Sequence, residues 1–104
     1  MKKILILGAS GFIGKNLANF LSGYRYELYG TYLTNKPKKN LKIKYYKVDL
    51  KEKSQVNKIV KNMDVIIQCA AVTGGIKDAK LNPAKYIADN AIMNSIILES
   101  IFFN

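Results

Sequence analysis

The segment Gly8-Ala9-Ser10-Gly11-Phe12-Ile13-Gly14 separates two differently patterned stretches, and it limits the fold of this chain more than any other feature. Before it, Ile4-Leu5-Ile6-Leu7 is a continuous apolar run, the pattern of a strand covered on both faces in a parallel sheet. After it the period changes: Ile13, Leu17, Phe20 and Leu21 share one helical stripe, which Ser22-Gly23 ends. Glycines at this junction have a physical reading. Gly8 lets the chain turn sharply, Gly11 lets backbone amides approach a diphosphate with no Cβ in the way, and Gly14 lets the helix pack close on the strand. The helix N-terminus adds free N–H groups and a partial positive charge. Gly8, Ser10, Gly11, Phe12, Ile13 and Gly14 are therefore expected to hold a dinucleotide.

The remaining pattern extends this unit. A second strand is expected over Glu27–Leu33 and a third over Ile43–Val48, separated by a polar loop around Pro37. A short helix over Ser54–Asn62 would turn Val56, Ile59, Val60 and Met63 inward, and a fourth strand would run over Val65–Ala70. A loop from Ala71 to Leu81 contains Thr73-Gly74-Gly75. A last helix is expected to open at Asn82-Pro83, with a stripe through Ile87, Ala91 and Leu98 and Ile97 and Ile101 adjoining. Right-handed crossovers between parallel strands then give the sheet order 3-2-1-4. The expected fold is a partial doubly wound α/β/α (Rossmann) sheet, with residues 1–104 forming a single domain.

Composition narrows the chemistry. The 104 residues contain no His, which removes Ser-His-Asp triads and His-containing zinc sites, and no metal site is expected. The single cysteine, Cys69, closes no internal disulfide, so cytoplasm is the expected location, and packing rather than nucleophilic chemistry is its expected role. A net charge of +10 invites a nucleic-acid reading, but every cation except Arg25 is Lys, which lacks the bidentate fork used to read bases. Nucleic acid is not an expected partner. Met1-Lys2-Lys3 and the apolar run imitate a secretory signal only until Gly8, and no stretch approaches the roughly 18 apolar residues of a membrane span, so no membrane partner is expected.

The GASGFIG spacing resembles the extended short-chain dehydrogenase/reductase superfamily, many of whose members modify nucleotide sugars. Asp49-Leu50 looks like that superfamily's adenine-contacting pair, Cys69-Ala70-Ala71 resembles its small-residue stretch beside the nicotinamide ribose, and Asn90 matches its helix-four Asn, with Leu98-Glu99-Ser100 following. The resemblance thus adds Asp49, Leu50, Ala70, Ala71 and Asn90 to the expected cofactor-binding residues. A narrower likeness, in Ala70-Ala71-Val72-Thr73-Gly74-Gly75-Ile76 and Asn82-Pro83-Ala84, is to the GDP-L-fucose synthase group of epimerase/reductases. Positions 72 and 73 depart from the usual pair there.

No catalytic residue is identified. The superfamily's Ser/Thr and Tyr-x-x-x-Lys are expected to fall beyond Asn104; Tyr32 and Lys36 have the spacing but fall at the end of the second strand, on the adenosine side. The resemblance therefore implies the NAD(P)-binding N-terminal part of a nucleotide-sugar epimerase/reductase or dehydratase, inactive alone and taking the sugar only when completed by a C-terminal part. The other reading is a stand-alone NAD(P)-binding or sensing module. Gly30, Thr31 and Tyr32 stand where an acid would bind the ribose 2′-OH of NAD, Glu27 lies too early, and Lys36, Lys38 and Lys39 follow, so NADP is expected over NAD. With no fifth strand, the apolar edge of strand four is expected to make the chain a homo-oligomer, unless Ile101-Phe102-Phe103 fold back over it.

Overall fold

The computed structural model describes residues 1–72 and 80–104. Among the described residues seven elements follow in order: β1 (Lys3–Leu7), α1 (Phe12–Leu21), β2 (Glu27–Tyr32), β3 (Ile43–Lys47), α2 (Lys53–Val60), β4 (Val65–Gln68) and α3 (Pro83–Phe103). All three strand pairings are parallel and the sheet order is β3-β2-β1-β4. This is the doubly wound arrangement expected from the pattern.

Alternation along β1 builds both halves of the core. Ile4 and Ile6 face α1, where they meet Ala9, Ala18, Leu28 and Ile43. Leu5 and Leu7 face the opposite way and meet Val48, Leu50, Val56, Val60, Met93 and Ile97 under α2 and α3. Ile4 pairs with Leu28 on one side and Val65 on the other, so β1 is flanked and covered in every direction. β4 is the sheet's edge; Val65 is 38% exposed and Ile66 and Ile67 are half-buried, rather than enclosed as an inner strand would be.

Two helices turn a different face inward from the one their sequence suggests. In α1 the buried residues are Gly14 and Ala18, flanked by Leu17 and Leu21, whereas Ile13 and Phe20 are exposed. The cause is the close approach at Gly14, which admits only small residues against the strand. In α3 the inward set is Met93, Ile96, Ile97 and Ser100, at the i, i+3, i+4, i+7 spacing, and Ile87, Ala91 and Leu98 face out. That helix is apolar on more than one side, so its period does not select a face. Ile101-Phe102-Phe103 do not fold back over β4. They form the last turn of α3, and Asn104 reaches Asn57 of α2.

Candidate functional site

The turn between β1 and α1 is set by two glycines acting differently. Gly8 has φ 78°, in the left-handed region, and a Cβ there would lie 2.6 Å from the Ala70 Cα at the end of β4. Gly14 faces the Gly8 carbonyl so closely that a Cβ would overlap it and would lie 3.0 Å from the Ala9 Cα. Gly11 is unlike either. Its backbone is extended, at φ −74° and ψ 171°, and an added Cβ would meet only the Gly8 carbonyl, at an ordinary 3.7 Å. Packing does not require glycine at 11; the bare backbone leaves room on the open side of the turn.

That open side is a cleft of about 470 Å³ at the carboxyl ends of the strands, the place where open α/β sheets receive ligands. Gly8, Ser10, Gly11, Phe12, Ile13, Asp49, Leu50, Ala70 and Ala71 all line it. The first turn of α1 has no side-chain cap and no acid, so its partial positive charge is not met by a carboxylate within that turn. The residues fit a dinucleotide: an unobstructed turn at 11, a helix N-terminus, and a long cleft with Asp49 beyond the ends of β2 and β3. Gly14 and Asn90 do not line the cleft. Gly14 sits beneath the turn, and Asn90 accepts the Val72 N–H (2.8 Å) while donating to the Val72 carbonyl (3.1 Å) and the Tyr86 carbonyl (2.7 Å). The expected loop residues Thr73, Gly74, Gly75 and Ile76 lie outside the described residues.

Several bonds that hold the site together have no signal in the sequence. Thr31 is buried and its Oγ1 accepts the Gly8 N–H at 3.1 Å, while its carbonyl accepts the Ala9 N–H at 2.8 Å, tying the glycine turn to β2. The Asp49 N–H donates to Gln55 Oε1 (2.8 Å) and the Asp49 carboxylate accepts the Lys51 N–H (3.0 Å), which fixes the turn after β3. Lys51 lines the cleft, and Lys36, Lys38 and Lys39 do not. Cys69 also lines it; burial pushes its thiol up from the ordinary value, so it is protonated at neutral pH and a poor nucleophile. Among the described residues no group of three or more His, Cys, Asp and Glu is placed to hold a metal ion, and no helix is long and apolar enough to cross a membrane.

Comparison with known proteins agrees with this geometry. The model of the NAD dependent epimerase/dehydratase family matches residues 4–103. The bifunctional polymyxin resistance protein ArnA of Wigglesworthia glossinidia brevipalpis is 37% identical over 91 residues, covering 82% of this chain and 14% of that protein. The UDP-Glc/GlcNAc 4-epimerase of Campylobacter jejuni superposes with a TM-score of 0.85 at 22% identity, covering 98% of this chain and 34% of that one. A mutant uronate dehydrogenase of Agrobacterium tumefaciens complexed with NAD gives 0.77 at 22% identity, covering 96% of this chain and 36% of that one. At such identities these two structures establish the fold alone. The chain spans about a third of their length and about a seventh of the curated relative's.

Proposed function

Because the chain belongs to the NAD dependent epimerase/dehydratase family, we propose that it is the dinucleotide-binding part of an enzyme acting on a nucleotide-linked sugar. The observation that carries the reading is Gly11. Its lack of a side chain answers no need of the fold, and the space it leaves lies at a helix N-terminus beside the cleft. Gly8, Gly11 and the first-turn amides of α1 would hold the diphosphate, Asp49 and Leu50 the adenine, and Ala70 and Ala71 the nicotinamide ribose, whose small side chains leave it space. The bound dinucleotide supplies hydride transfer; the described residues orient it and cover it. The Ala70–Ile76 sequence supports a 4-keto-6-deoxy sugar nucleotide of the kind GDP-L-fucose synthases use. Tyr32 lines the cleft at the end of β2, on the opposite side of β1 from β4, and the role assigned to the described residues is binding.

NADP is the preferred cofactor in this reading. Among the described residues Asp49 is the one acid that lines the cleft, Lys51 lines it too, and no acid stands at the end of β2 to claim a ribose 2′-OH. Calorimetric titration at low salt is expected to show NADP binding at least as tightly as NAD; a clear NAD preference overturns the assignment. The same reading makes the β4 edge an association surface. Val65, Ile66 and Ile67 carry no charge and no Pro, and β4 has a strand on one side only. Light scattering on the 104-residue chain is expected to give a mass above that of the monomer, with slow amide exchange in β4. A monomer at high concentration, with freely exchanging β4 amides, refutes it.

A further inference from the structure

The backbone at the cleft's inner end is held by side chains rather than by a strand ladder. β4 stops at Gln68, and the last sheet-type bond beyond it is from the Cys69 N–H to the Leu7 carbonyl, at 2.9 Å. After that point three amide side chains take over. Gln68 Oε1 accepts the Ala70 N–H at 2.9 Å, and Gln68 Nε2 donates to Asn94 Oδ1 of α3 at 2.8 Å. One helical turn earlier on α3, Asn90 grips both backbone groups of Val72. Met93, between the two asparagines, lines the cleft. Ala70 is also the residue against which the Gly8 turn rests, so its position decides where that turn sits.

We propose that Gln68 and Asn94 are a positioning pair that registers α3 against β4 and thereby fixes Ala70 as the floor of the dinucleotide cleft. Neither side chain lines the cleft, and both are exposed, so the pair acts through the Ala70 backbone rather than by touching the ligand. Either amide alone makes an ordinary polar surface contact; linked, they tie the strand end to the helix through one continuous chain of bonds. This rests on the dinucleotide reading above, and its test separates the two.

NADP and NAD are titrated calorimetrically against the full chain and the variants Asn94→Leu, Gln68→Met, their double and Asn94→Asp, alongside melting temperatures and amide exchange. Asn94→Leu and Gln68→Met are each expected to weaken binding about three- to tenfold, as the loss of one hydrogen bond's net contribution would. The double variant is expected to be no weaker than the worse single, because the pair acts as a unit. Asn94→Asp keeps an acceptor for the Gln68 amide and is expected to bind and melt as the parent chain does, whereas Asn94→Leu and Gln68→Met are each expected to melt about 3–10 °C lower, as the loss of one hydrogen bond would give. Unchanged affinity in both single variants, additive losses, or an equal loss in Asn94→Asp overturns the proposal. A parent chain that binds neither dinucleotide refutes the functional reading by itself. Exchange at the Ala70 N–H then decides the pair: faster in Asn94→Leu than in Asn94→Asp upholds it, and no difference overturns it.

Discussion

A Gly14→Ala chain is expected to melt far below the parent. The new methyl would overlap the Gly8 carbonyl and crowd the Ala9 Cα, and none of those atoms is the movable end of a side chain. Relief requires α1 to lift from β1, which would open the contact between Ala18 and the residues around Ile4 and Ile6. Overpacking a core typically costs about 1–3 kcal/mol, and a backbone obstacle puts this site at the upper end or beyond. At about 4–8 °C per kcal/mol for a domain of this size, the midpoint should fall by roughly 15 °C or more. Gly23→Ala is the matched control, since its methyl would meet only the Phe20 carbonyl at 3.5 Å. Thermal circular dichroism on the two variants checks the expectation; a Gly14→Ala midpoint within about 4 °C of the parent would show that α1 is not held against the turn.

Gly11→Val is expected to do the reverse, abolishing dinucleotide binding in a chain that still folds. The backbone at 11 already has the extended geometry a branched residue prefers, and the open surroundings admit the side chain. Valine is a poorer helix N-cap than glycine by up to about 1 kcal/mol. Losing glycine's freedom in the unfolded chain returns about 0.4–1 kcal/mol, so the two nearly cancel. The isopropyl group would then stand in the space assigned to the diphosphate, and a clash of about 2–3 kcal/mol corresponds to a loss of roughly 30- to 150-fold in affinity. Calorimetry with NADP, next to a melting curve, reads both halves. Undiminished binding in the folded variant would sink the dinucleotide assignment.

How well the sequence reports this molecule depends on what kind of residue makes each contact. β1 was legible because it is buried on both faces, and a run such as Ile4–Leu7 has few other uses. Gly8 and Gly14 were legible because the turn demands them at fixed places. The inward face of α1 was misread because Gly14 and Ala18 make the closest approach, and reading by hydrophobicity gives weight to Ile13 and Phe20, which face out. On α3 the apolar residues form two stripes, and only the position of α2 and the sheet decides that Met93 and Ile97 go inside and Leu98 does not. Gln55, Gln68 and Asn94 left no trace at all, and Thr31 was noted only for standing where an acid would bind a ribose, not for its bond to the glycine turn. Their work is to bond single backbone groups in chain segments distant in sequence, and such bonds have no period and no characteristic spacing. Asn90 was singled out as a cofactor-binding residue; in the structure its amide holds the backbone of Val72, and it does not line the cleft.

The order of the sheet also sets a timetable. β1, α1, β2 and β3 join neighbours in the chain, whereas β4 must return to β1 across the longest span, with the Lys3 N–H meeting the Asp64 carboxylate 61 residues away. Pairings that close long loops form late. On a ribosome adding about 5–20 residues per second, β1 would wait roughly 3–12 s for its β4 partner to be made. Through that interval the edge that β4 will cover lies open, and Gly8 has no Ala70 to rest against. The half of the cleft contributed by β4 and by Met93 of α3 is thus the last to be assembled, and a nascent chain gains its capacity to hold a ligand late instead of by degrees.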